Sequence, residues 1–184
     1  VLDFLKKNPL EAYRALFLGG FGTKAGIIET VVKSTPLLFV ALGICVAYRG
    51  GVINIGGEGQ LLMGAITTTV LGIYLTGLEG WQVISICLLG SMVSGAVWGG
   101  VAGFLKTRFG VNEILSTVMM NAIALQFSYY LLSGPLMDPN EIALRTFVMW
   151  SQRIPKDAWL PKLIPQTFVH TGALIAIIMA ILIY

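Results

Sequence analysis

The chain has 184 residues, 56% of them hydrophobic and only 11% charged, with a net charge of +3 and a mean hydropathy of +0.83. A soluble domain carries roughly 25% charged residues, so a water-soluble globule of this size is excluded and lipid is the expected solvent. The single histidine, His170, rules out a His-based metal cluster built from this chain alone, and nothing in the charge pattern points to nucleic acid.

Residues 3–24 are too polar to span a bilayer. Asn8-Pro9 reads as a helix start and Gly19-Gly20 as a stop, which predicts a short amphipathic helix on the membrane surface within a segment 1–26. The first span is predicted at 27–48. It contains Lys33, which can snorkel to the interface, and Pro36, and it ends at Arg49. GGVINIGGEGQ, residues 50–60, places five glycines in eleven positions and marks a break between two helices. A second span at 60–78, a tight turn at 77–81, a third span at 82–105 closed by Lys106 and Arg108, and a fourth from Asn112 to Leu132 complete a four-helix membrane core over 27–133. Residues 134–168 form a polar loop with five of the seven prolines, with Trp150 and Trp159 as interfacial anchors. A fifth span begins near 169. The fold expected is an all-α polytopic membrane bundle of four complete spans and a truncated fifth. The start at Val1 without methionine and the stop at Tyr184 inside an apolar run fit a piece of a longer protein. Cys45 and Cys87 sit in apolar runs and read as small buried hydrophobes.

Arg49, Lys106 and Arg108 fall on one side of the predicted bundle, whereas the turn at 77–81 has no basic residue. The positive-inside rule then makes 49–59 and 106–111 cytoplasmic and 134–168 extracytoplasmic. The long loop does hold Arg145, Arg153, Lys156 and Lys162, but long loops count less.

Small residues recur every four positions in two spans: Ser91, Gly95, Gly99 and Gly103 in the third, Gly64, Thr68, Gly72 and Thr76 in the second. Such ladders let backbones approach closely in lipid. They serve ordinary bundle packing, or a moving or pore-lining surface.

Two polar groupings stand out. Asn54, Glu58 and Gln60 lie in or beside the break. Irregular backbone at membrane depth is tolerated where protein or a water-filled cavity satisfies it, as at transporter substrate and gating sites. Glu58 would also sit favourably at the positive end of the next helix, with Asn54 and Gln60 tying down a turn. In the second grouping, Asn112, Glu113, Ser116, Thr117 and Asn121, Asn112 is a natural N-cap and Glu113 a first-turn acid. Asn121 lies mid-span and must face the bundle or a cavity, for interhelical hydrogen bonding or for lining a pathway. No P-loop, no supported Ser-His-acid set and no metal-ligand spacing is present, so neither an enzyme nor a bound cofactor is expected.

GGVINIGGEGQLLMGA (50–65) resembles a signature of bacterial ABC-importer permeases of the branched-chain amino acid, ribose and simple-sugar superfamily, with Glu-Gly-Gln closer to the sugar and nucleoside branch. GVNEILSTVMMNAIA (110–124), Gly134-Pro135-Leu136 and NPLEAYRALFLGGFGT (8–23) are similar to segments of the nucleoside-type permeases. The resemblance implies a permease subunit that pairs with a second permease subunit, a cytoplasmic ABC ATPase and an extracytoplasmic substrate-binding lipoprotein. It implies an inner-membrane location and nucleosides as cargo, with ribose or another simple sugar as the alternative; a non-transporting membrane scaffold is the alternative of a different class. Asn54, Glu58, Gln60, Asn112, Glu113 and Asn121 are the matched positions expected at the pathway or its gates. On this resemblance the family's first helix and C-terminal half are expected to lie outside residues 1–184, and the helix that contacts the ATPase to follow residue 184.

Overall fold

The computed structural model describes residues 8–75, 77–144, 146 and 148–184. Residues 1–7 of the expected surface segment, Thr76 of the second ladder and Arg145 of the polar loop lie outside the described residues. The described chain is helical: α1 (Pro9–Phe21), α2 (Lys24–Arg49), α3 (Gly57–Tyr74), α4 (Gly80–Phe109), α5 (Glu113–Leu132), the short α6 (Pro139–Ala143), a 3-10 turn (Lys156–Ala158) and α7 (Thr171–Ile183). Among the described residues three helices, α2, α4 and α5, are long and apolar enough to cross a membrane. α3 begins with a polar turn carrying Glu58 and Gln60, and α7 has 13 residues.

The chain divides into two compact units: residues 1–42 with 160–184, and residues 43–159. In the first unit the Asn8 side chain accepts from the Leu10 N–H at 3.0 Å and opens α1. α1 runs through Gly19-Gly20 and ends at Phe21, so these glycines are not the expected stop. They make a close corner instead: a Cβ on Gly26 of α2 would collide with the Gly19 carbonyl, and the Thr30 hydroxyl donates to the Gly20 carbonyl at 3.0 Å. In α2 the Thr35 and Ser34 hydroxyls donate to the Val31 carbonyl at 2.8 and 3.1 Å, just ahead of Pro36, which has no N–H to give. Lys33 pairs with Glu29 one turn back at 3.4 Å, and both are well exposed. Cys45 is exposed on α2, contrary to its reading as a buried hydrophobe. α7 is opened by His170, whose Nδ1 accepts from the Gly172 N–H at 3.1 Å.

The second unit contains α3, α4 and α5, each packed on the other two. α4 starts at Gly80, two residues before the predicted onset, because Glu79 and Gln82 form a reciprocal capping box. It ends at Phe109, where Gly110 takes φ +67° and turns the chain into α5. α3 and α4 meet along small residues. A Cβ on Gly64 would lie 3.4 Å from the Ser91 carbonyl, and one on Gly90 would meet Leu71 and Thr67. The Ser94 hydroxyl donates to the Met63 carbonyl at 3.2 Å, and the buried Cys87 thiol approaches the Thr68 carbonyl at 3.8 Å. Gly72 is covered by Ile154 of the polar loop rather than by α4, and Gly103 meets nothing within 4 Å.

Candidate functional site

The two polar groupings, far apart in sequence, meet at one place between α3 and α5. α2 closes in a Schellman arrangement. The Val52 N–H donates to the Ala47 carbonyl and the Gly51 N–H to the Tyr48 carbonyl, each at 3.0 Å, with Gly51 at φ +75°. Asn54 then folds its side chain over the next turn, its Oδ1 accepting from the Gly56 N–H at 2.8 Å. α3 starts at Gly57 with Gly56 at its N-cap, a residue with no side chain to satisfy the orphan N–H groups of the first turn.

Asn121 supplies what is missing. Its Oδ1 accepts from the Gly59 N–H at 2.8 Å, and its Nδ2 donates to the Ile55 carbonyl at 3.0 Å. One carboxamide from α5 therefore caps α3 and fastens the break that precedes it. Of the two readings left open for Asn121, interhelical hydrogen bonding is the geometry found. Glu113, Thr117 and Asn121 follow each other at four-residue spacing and so share a face of α5. Thr117 is buried, and its Cβ lies 3.1 Å from where a Cβ of Gly56 would stand. A Cβ on Gly59 would come within 3.2 Å of the Asn121 Cα. Glycine at 56 and 59 is what lets α5 approach so closely.

The remaining residues frame this contact. Asn112 caps α5, its Oδ1 accepting from Ile114 and Leu115 N–H groups at 2.9 and 3.4 Å. Glu113 accepts from the Lys106 ammonium at 2.7 Å, tying the end of α4 to the start of α5 across the Gly110 turn. Gln60 lies in the α3–α4 interface. Its carboxamide covers Gly99, and its carbonyl stands 3.4 Å from where a Gly95 Cβ would be. Glu58 is exposed in the first turn of α3 and pairs with nothing among the described residues. Trp98 of α4 joins them from outside both polar groupings. Its Nε1 is buried, has no hydrogen-bond partner among the described residues, and stands 3.0 Å from the Gly59 Cβ position. Nothing in the local sequence marks it; only the fold brings it to Gly59.

Chemically, the arrangement ties the end of an interrupted backbone to α5 through the Gly59 N–H and the Ile55 carbonyl, and leaves one carboxylate at the positive end of α3. No group of residues that could hold a metal occurs among the described residues. Apolar helices long enough to span a membrane, with a broken segment docked on one of them, are a construction that membrane transport proteins use. The chain belongs to the branched-chain amino acid transport system permease component family, whose model matches residues 26–184. It is 32% identical to the guanosine ABC transporter permease protein NupP of Bacillus subtilis over 94% of this chain and 48% of that protein. It is 30% identical to the nucleoside ABC transporter permease protein NupB of Lactococcus lactis over 93% of this chain and 48% of that one. A glucose ABC transporter permease protein of Haloferax volcanii is 31% identical over 72% of this chain and 34% of its own length. The chain thus spans about half the length, or less, of these relatives. No solved structure matches it at a significant level.

Proposed function

We propose that this chain is part of the membrane-spanning permease subunit of an ATP-binding cassette importer that moves nucleosides across the bacterial inner membrane. The observation that carries this reading is coverage: the guanosine and nucleoside permeases match the chain almost from end to end, whereas the glucose permease matches 72% of it. The sugar reading stays as the alternative because that third relative is similarly identical where it aligns.

In this proposal residues 1–184 form one permease domain. Residues 1–26 lie on the membrane surface, 27–133 form the core with α2, α3, α4 and α5 as four spans, 134–168 form the extracytoplasmic loop, and α7 begins a fifth span. The 18 residues of α3 reach about 27 Å at 1.5 Å each, close to the hydrocarbon thickness of about 30 Å. The break and the α4–α5 turn face the cytoplasm, following Arg49, Lys106 and Arg108. A cytoplasmic ATPase hydrolyses ATP, a second permease subunit completes the pathway, and a substrate-binding lipoprotein delivers cargo. Glu58 faces the pathway or its gate, with Gln60 beside it in the α3–α4 interface. Asn54, Asn112, Glu113 and Asn121 hold the backbone on which those two are carried, which supports a framing rather than a cargo-touching role for them.

The test is uptake of labelled uridine by cells with and without the full-length gene, its ATPase and binding protein being present. Gene-dependent uptake blocked by excess adenosine and not by ribose is expected. Blockade by ribose alone moves the protein to the sugar branch, and no gene-dependent uptake of either refutes the assignment.

A further inference from the structure

The clamp between α3 and α5 leaves a buried donor unused beside it. The position that a Cβ of Gly59 would take lies 2.9 Å from Asn121 Oδ1 and 3.0 Å from Trp98 Nε1, so oxygen and indole N–H flank one spot. Asn121 Oδ1 is engaged by the Gly59 N–H, and the Trp98 N–H has no partner among the described residues. Leaving such a donor unpaired in a desolvated place is unfavourable, and a packed Trp that needs no hydrogen bond could be replaced by Phe without that penalty. A second arrangement resolves it. The first turn of α3 holds Gly57 and Gly59, poor helix formers, follows Gly56, and has no side-chain cap from its own N-cap residue. When that turn lifts from α5, Asn121 Oδ1 is released and the neighbouring indole N–H can take it.

We propose that Trp98 is a positioning residue for a two-state clamp, in which Asn121 Oδ1 accepts from the Gly59 N–H when the break is closed and from the Trp98 N–H when it is open. The exchange keeps the Asn121 oxygen satisfied in both states, so opening costs less than breaking the clamp outright. It rests on reading the chain as a permease only in giving the open state a use.

The experiment uses the full-length protein in its membrane, with Cys45 and Cys87 replaced by alanine and Thr117→Cys as a reporter beneath the break, a position buried against Gly56. The rate at which a maleimide labels that thiol reads how often the break opens. Trp98→Phe removes the open-state partner and the closed-state unpaired donor together, so labelling should slow by about ten-fold, as the loss of one net hydrogen bond and one buried orphan suggests. The thermal midpoint of the protein should stay level or rise. In an Asn121→Ala background the same Trp98 substitution should slow labelling much less, since no oxygen remains to exchange and only the orphaned donor is removed. Unchanged labelling in the parent, faster labelling with a lowered midpoint, or an equal effect of Trp98→Phe with and without Asn121 would each overturn the exchange. Labelling needs no knowledge of the cargo, so this outcome is separable from failure of the nucleoside assignment.

Discussion

Replacing Asn121 by alanine removes both hydrogen bonds that fasten the break, at 2.8 Å to the Gly59 N–H and 3.0 Å to the Ile55 carbonyl. Gly59 is buried, so its N–H is left without water or protein to accept it. A buried group orphaned in this way costs about 1–3 kcal/mol. The Ile55 carbonyl belongs to an exposed residue and water can replace its partner, so its share is nearer the ~0.6 kcal/mol typical of hydrogen bonds between membrane helices. Together the loss is about 2–3 kcal/mol, which corresponds to a fall in thermal midpoint of roughly 4–12 °C for a protein of this size. The buried Cys87 thiol, in contact with Thr68 of α3, gives a direct readout. In a Cys45→Ala background, the temperature at which Cys87 becomes reactive to a fluorogenic maleimide reports separation of α3 from α4. Asn121→Leu, close in volume but without hydrogen-bonding atoms, should behave like Asn121→Ala. A leucine variant that melts with the parent would show that Asn121 fills space and does not clamp, and would refute the reasoning.

Gly59→Ala should destabilise more than Gly64→Ala in the same melting assay. The first methyl would meet Asn121 Oδ1 at 2.9 Å, Trp98 Nε1 at 3.0 Å and Asn121 Cα at 3.2 Å, and the second nothing nearer than the Ser91 carbonyl at 3.4 Å. Glu58→Gln removes an exposed charge with no partner among the described residues, so uptake by the full-length protein should fall while the melting temperature stays within about 1 °C, as surface changes usually do. Asn112→Ala removes the cap of α5 and should lower stability by about 1 kcal/mol, with Asn112→Ser recovering most of it.

Much of α5 is legible in sequence because its signals are local: Asn112 caps it within two residues, and the predicted limits match Glu113–Leu132. α3 is read three residues late for the opposite reason. Gly56, Gly57 and Gly59 are poor helix formers, and the group that caps them stands 62 residues away. Gly19-Gly20 reads as a stop since glycine usually ends a helix, yet α1 runs through it, and the close corner depends on Gly26, where a Cβ would collide with the Gly19 carbonyl. The Glu79–Gln82 capping box was a local signal for the onset of α4 that the span limits passed over. The union of 54–60 with 113–121 could be suspected only from the four-residue spacing of Glu113, Thr117 and Asn121. Periodicity shows that such residues share a face, but not what that face meets. Trp98 carries no sequence signal at all, because its importance lies in an atom left unpaired by packing.

The most direct test of this juxtaposition is a cross-link between the break and α5. With Cys45 and Cys87 replaced by alanine, Gly56→Cys and Thr117→Cys place their Cβ atoms 3.1 Å apart by backbone geometry, near the spacing of about 3.5–4.5 Å that a disulfide requires. In membranes holding the full-length protein, mild oxidation should join the pair, read as a reducible link between fragments after cleavage in the 77–79 turn. Gly64→Cys with Ser91→Cys, whose Cβ atoms would stand 3.6 Å apart, serves as the α3–α4 control. A link at 56–117 is the expected result; a link in the control alone would contradict the docking of the break on α5.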